Sequence, residues 1–204
     1  MEAENNNKMY RFKSIENMAD LQNDFKLLTN EQLAARVQIG CRDSFDELTL
    51  RLNSKLLSFL LARTGKPEDA EDLVQETFAK AYKNIEKFNN KWKFTTWIFT
   101  LAVRLANSHY RKKKNVCNLE DIGDFEIKTD GPEKILVNQQ QWENMWLLAK
   151  SNLSTNQYES LWLKYAEDMP IKDIAKILGK SKINVKVILF RARSNMANIL
   201  ADKI

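Results

Sequence analysis

Cysteine, histidine, glycine and proline are all scarce in this chain of 204 residues. The two cysteines, Cys41 and Cys117, lie in distant segments, so neither a disulfide framework nor a CxxC pair is present. His109 is the single histidine, and with two separated thiols it leaves no zinc-ligand set. Five glycines and three prolines are too few for the many tight turns of an all-β fold. No stretch approaches the roughly 18 consecutive apolar residues of a membrane span; the longest apolar cluster, Leu56–Ala62, is interrupted by Ser58. The leading MEAENNNKMYRF lacks the apolar core of a secretory signal. GxSxG, HExxH and a phosphate-cradling glycine loop are absent, and the acids are not paired with a positioned base. The expectation is a cytoplasmic protein that is not membrane-embedded, with no catalytic residue, metal, cofactor or small-molecule substrate.

What remains is helical periodicity. The apolar share of 44% is enough to build a core, and no alternating strand pattern or fixed repeat interrupts it. Ile15, Met18, Leu21, Phe25 and Leu28 fall at helical spacing within residues 1–28, an N-terminal extension to which no function is assigned. Thr29-Asn30-Glu31-Gln32 reads as a capping box opening a helix with Leu33 and Val37, ended by Gly40. Phe45, Leu48, Leu52, Leu56 and Phe59 share one face of a second helix, stopped by Gly65. Pro67 suits the first turn of a third, which runs through Leu73, Val74, Phe78, Ala81, Tyr82 and Ile85. After a break at Phe88–Lys91, Thr95 is expected to cap a fourth helix that buries Trp97/Ile98, Leu101/Ala102 and Leu105. Residues 115–132 lose the period, are acidic, and read as a linker. Helical spacing resumes with Ile135, Trp142, Met145/Trp146 and Ala149. A second capping box, Ser154–Gln157, precedes Tyr158, Leu161/Trp162 and Tyr165, and Pro170 then opens a short helix over Ile171–Leu178. A last helix runs from about Lys182. The expected fold is all-α: two small helical domains, 29–114 and 133–204, joined by an acidic linker.

Charge is more informative in its distribution than in its sum of +5. Residues 68–76 hold five acids and no base, whereas residues 77–114 hold ten bases and one acid, Glu86. Trp92, Phe94, Trp97, Phe99 and Tyr110 are interleaved with those bases. A basic surface tracks a phosphate backbone, and exposed aromatics stack on unpaired bases. That combination suits single-stranded or opening DNA; the plain alternative is a solvated basic face over buried aromatics. Near the C-terminus, Ala175, Gly179 and Val185 stand at helix-turn-helix offsets: a close crossing, a turn, and a filler between helices. Lys172, Lys176, Lys180, Lys182, Lys186, Arg191 and Arg193 are available to phosphates there, opposed by Asp173. A plain αα-hairpin would show the same spacing.

Several strings are similar to the extracytoplasmic-function (ECF) subfamily of bacterial RNA polymerase sigma factors. Phe45-Asp46-Glu47-Leu48, PEDAEDLVQETFAKAY (67–82) and FTTWIFTLA (94–102) leading to HYRKKK resemble region 2. LSTNQYESLWLKYAEDMPIKDIAKILGKS and the Arg191-Ala192-Arg193 triplet resemble region 4. The resemblance implies that Asp69, Asp72, Gln75 and Glu76 dock on core RNA polymerase. It implies minus-10 promoter DNA contacts from Lys91, Trp92, Lys93, Phe94, Trp97, Arg104, Asn107, His109, Arg111 and Lys112. It implies minus-35 contacts from Lys182, Asn184, Lys186, Arg191 and Arg193, and an anti-sigma factor as a further partner. The chain departs from the family pattern at Val187-Ile188, where Ser-Arg is frequent, at Phe190, where His is, and at Arg104, where Asn is. A helix-turn-helix regulator acting without polymerase, and a sigma-like adaptor whose Val187-Ile188-Phe190 surface binds protein, remain open alternatives at this point.

Overall fold

Helix α1 (Asn30–Gln38) begins where the capping box places it: the Gln32 N–H donates to Thr29 Oγ1 at 3.2 Å and the Thr29 N–H donates to Gln32 Oε1 at 2.8 Å. These reciprocal bonds satisfy helix-start donors that would otherwise lack partners. The computed structural model describes residues 25–116 and 137–201, with side chains over 25–111 and 144–201. The expected helix over Ile15–Leu21, the linker from residue 117 onward, Cys117, Ile135 and the side chain of Trp142 lie outside those described.

The following elements are α2 (Asp43–Thr64), α3 (Pro67–Lys83), a single 3-10 turn (Ile85–Lys87), α4 (Phe94–Val116), α5 (Val137–Asn152), α6 (Thr155–Tyr165), α7 (Ile171–Leu178) and α8 (Lys182–Ala201). Two stops are set by glycine. Gly65 and Gly179 adopt φ of 76° and 62°, a left-handed conformation that costs other L-residues roughly 1–2 kcal/mol. Pro67 occupies the first turn of α3, where its missing N–H leaves no bond unmade. One start differs from expectation. Thr95 lies inside α4, because Phe94 is already helical and the Trp97 N–H reaches back to the Lys93 carbonyl.

Helices α1–α4 bury Leu33, Leu48, Leu52, Leu56, Phe59, Leu73, Phe94, Ile98 and Phe99. Phe59 and Phe99 meet edge to face at 5.3 Å. Each such side chain contributes roughly 1.5–3 kcal/mol on burial. Phe25, ahead of α1, joins this core, and Arg51 ties its carbonyl and that of Leu28 to α2 at 2.7 Å each. Helices α5–α8 form a second group around Trp146, Tyr158, Leu161, Leu163, Ile174, Val185 and Leu189. Ala175 and Val185 are buried at the α7–α8 crossing with left-handed Gly179 between the helices, the arrangement their spacing predicts. Among the described residues, no helix is long and apolar enough to cross a membrane.

Candidate nucleic-acid interface

The loop between the 3-10 turn and α4 is built around an aspartate-like turn: the Lys91 N–H donates to Asn89 Oδ1 at 3.0 Å and the Trp92 N–H donates to the Asn89 carbonyl at 3.1 Å. Phe88, Phe94 and Trp97 form its floor, with ring centroids 5.2–5.5 Å apart. Both ends are held from α1. Gln38 Nε2 donates to the carbonyls of Ile85 and Phe88, each at 2.9 Å. Glu31 Oε1 accepts from the Phe94 N–H at 2.8 Å, an acid at the positive end of α4. Neither Glu31 nor Gln38 stood out in the sequence. Glu31 lies inside the Thr29–Gln32 capping box, and nothing local marks the reach of Gln38.

The structure sorts the minus-10 candidates. Lys91, Lys93, Arg104 and Arg111 are exposed, on the loop and one side of α4. Trp92 and Trp97 are half-buried, and His109 is half-buried beside Tyr110. Phe94 is 0% exposed and edge-on to Phe88, so it supports the loop from inside and presents no face to a base. Hydrophobic burial of a whole ring outweighs the stacking role expected of it. Asn107 is also turned inward: its Oδ1 accepts from Arg63 Nη2 at 2.6 Å. Lys112 lies on α4, but its side chain is outside the described residues.

The acidic candidates lie along α3. Asp72, Gln75 and Glu76 are exposed and Asp69 is half-buried, while Ala70, Leu73, Val74 and Thr77 face the core. Helical spacing thus leaves a polar, acidic surface opposite the packed one. Glu76 is within 3.9 Å of Lys80, an exposed pairing of little energetic weight.

On α8, Val185, Leu189, Ala192 and Met196 pack inward. Lys182, Asn184, Lys186, Arg191 and Arg193 are all exposed, and Ser181 Oγ caps the helix by accepting the Asn184 N–H at 3.1 Å. Ile183, Val187 and Phe190 form an exposed apolar stripe between those cations, with Ile183 76% and Phe190 66% exposed. Ile188 is half-buried.

The two helical groups pack on each other. Arg63 on α2 pairs with Glu159 on α6, both side chains more than nine-tenths buried, and Tyr110 donates to the Arg63 carbonyl at 2.6 Å. Burial pulls the Arg63 guanidinium below its ordinary value. Lys55 meets Glu167 at 3.0 Å, and Lys150 Nζ donates to the Leu61 carbonyl at 3.4 Å. Helix α7 lies against α4, which places Lys176 Nζ 3.3 Å and Lys172 Nζ 4.9 Å from the Trp92 ring centroid. These two lysines, expected on phosphate, sit as cations over an aromatic ring. Burial, with Lys172 and Arg104 nearby and Asp173 opposing, lowers the Lys176 ammonium from its ordinary value.

Comparison with known proteins matches the same two groups. The Sigma-70 region 2 family profile matches residues 48–116 and the Sigma-70, region 4 profile matches residues 144–196. The ECF RNA polymerase sigma-E factor of Haemophilus influenzae is 31% identical over 181 residues, covering 84% of this chain and 95% of that protein. The ECF RNA polymerase sigma factor SigM of Bacillus subtilis is 30% identical, covering 75% of this chain and 93% of that protein. Among solved structures, CnrH bound to the cytosolic domain of CnrY shares the fold at a TM-score of 0.62 and 20% identity, covering 86% of this chain and 99% of that chain. The sigma factor RpoE of Bartonella quintana, bound to the anti-sigma factor NepR, follows at a TM-score of 0.58 and 24% identity, covering 77% and 96%. A capped helical core, an acidic helix face beside a basic loop, a C-terminal helix-turn-helix and these relatives lead to one assignment: the chain belongs to the extracytoplasmic-function sigma factors of RNA polymerase.

Proposed function

We propose that this chain binds core RNA polymerase through the exposed face of α3, with Asp69, Asp72, Gln75 and Glu76 at the contact, and opens promoters through the loop and basic side of α4. The observation that carries the reading is the junction of two opposite surfaces in one packed unit: an acidic face on α3 and, directly beyond it, the clamped loop with Lys91, Trp92 and Lys93. Acid and base so placed meet two different partners, protein on one side and nucleic acid on the other. Trp92, Trp97 and the cations Lys91, Lys93, Arg104, Arg111 and Lys112 are the minus-10 surface, with His109 at its edge. Capture of an unpaired base there has to offset a flipping cost of a few kcal/mol. On α8, Lys182, Asn184, Lys186, Arg191 and Arg193 meet the minus-35 duplex. The protein performs no chemistry of its own, acts in the cytoplasm where polymerase and promoters are, and is restrained by an anti-sigma factor; the similar RpoE forms a complex with the anti-sigma factor NepR. Residues 29–114 and 133–204 serve as its two working domains across the acidic linker.

A regulator acting without polymerase accounts for α5–α8 alone and leaves the acidic face of α3 without a role. Run-off transcription with purified core polymerase on fragments of the source genome tests the proposal. Discrete transcripts that need the chain, and that disappear with Asp72→Lys, are expected. Core polymerase that makes the same transcripts with and without the chain would sink it.

A further inference from the structure

We propose that Glu31 and Gln38, two turns apart on α1, are positioning residues for promoter opening: they hold the loop of Lys91, Trp92 and Lys93 in the shape that receives an unpaired base. The inference rests on the reading of that loop as the minus-10 surface. Gln38 grips the chain before the loop through two carbonyls, and Glu31 grips the first helical N–H after it. Both partners are backbone groups, so the bonds define where the loop begins and ends whatever side chains it carries. Gln38 itself is exposed at the end of α1, followed by Ile39 at 85% exposure, so its amide is not there to complete the core. Between the two grips the backbone of the loop is ordered by the Asn89 turn, and Trp92 is met from α7 by Lys172 and Lys176. A loop already ordered spares the entropy of immobilising it on binding.

The test uses the wild-type chain assembled with core polymerase, and a fluorescent single-stranded DNA enriched on that holoenzyme from a randomised pool. Gln38→Ala and Glu31→Ala are each expected to weaken its binding about tenfold and to flatten discrimination against base-substituted versions of it. Core-polymerase affinity and the thermal midpoint stay at wild-type values. Gln38→Glu keeps the size but sets a carboxylate against two carbonyl oxygens, so it binds worse than Gln38→Ala; a space-filling role would give the reverse order. The proposal is overturned if both variants bind and discriminate like wild type, or if binding falls only in step with melting or core affinity. If wild type enriches no single-stranded DNA, the minus-10 reading itself fails, and the clamp with it.

Discussion

Removal of the Glu159 carboxylate is the sharpest perturbation this fold offers. Its partner Arg63 has a side chain 6% exposed and Glu159 one that is 4% exposed, so the pair belongs with buried ion pairs and not with surface ones. Exposed pairs contribute about 0–1 kcal/mol. Loss of one partner of a buried pair costs about 3–5 kcal/mol, because the remaining charge is left without compensation. Arg63 keeps Asn107 through its Nη2, which places Glu159→Ala near the lower end, about 3 kcal/mol. That is more than a hundredfold in the folding equilibrium, at 1.36 kcal/mol per factor of ten. The double replacement Arg63→Met with Glu159→Leu removes both charges from the same volume. It should fall within about 1 kcal/mol of wild type or above it. Urea denaturation of wild type, Arg63→Met, Glu159→Leu and the double variant closes the cycle, with Glu159→Ala measured beside it. A cost for Glu159→Ala below about 1 kcal/mol, the surface-pair range, would refute the buried-pair reasoning.

Other outcomes follow from the same geometry. Asp72→Lys should leave the melting midpoint unchanged, since Asp72 is exposed, yet weaken binding to core polymerase in a pull-down. Phe94→Ala should cost about 3–5 kcal/mol of stability in a denaturant melt, as a core ring does, whereas a base-stacking residue would cost little. Lys91→Ala with Lys93→Ala should leave stability alone and reduce the salt dependence of DNA binding by roughly one counterion per lysine that contacts phosphate. Burial pushes the Tyr158 phenol well above the ordinary tyrosine value of 10.0. A folded value above the unfolded one gives stability that is intact below about pH 10 and is lost as pH rises past it. Tyr158→Phe should therefore flatten the alkaline limb of a stability–pH curve.

Local order was open to sequence reasoning because its causes lie within a few residues. The Thr29–Gln32 box, Pro67, Gly65 and Gly179 act through neighbours one to four positions away, and each does what its chemistry requires. The acid-to-base switch after Glu76 was equally plain, since charged groups on an amphipathic helix have to face outward. Which aromatic faces out is another matter. Phe94 and Trp92 sit two residues apart in one basic segment, yet Phe94 is sealed against Phe88 while Trp92 is met by lysines from α7. That outcome depends on packing between helices distant in the chain. The same holds for Gln38 reaching Phe88, for Glu31 reaching Phe94, and for Arg63 finding Glu159. Hydrogen bonds and buried charges need partners in space, and spacing along the chain does not name them. The sequence by itself determined the helices, most of their ends (not the start of α4 or the stop of α3 at Lys83) and the sign of each surface; tertiary structure alone decided how the promoter loop is held, and that α7 lies over it.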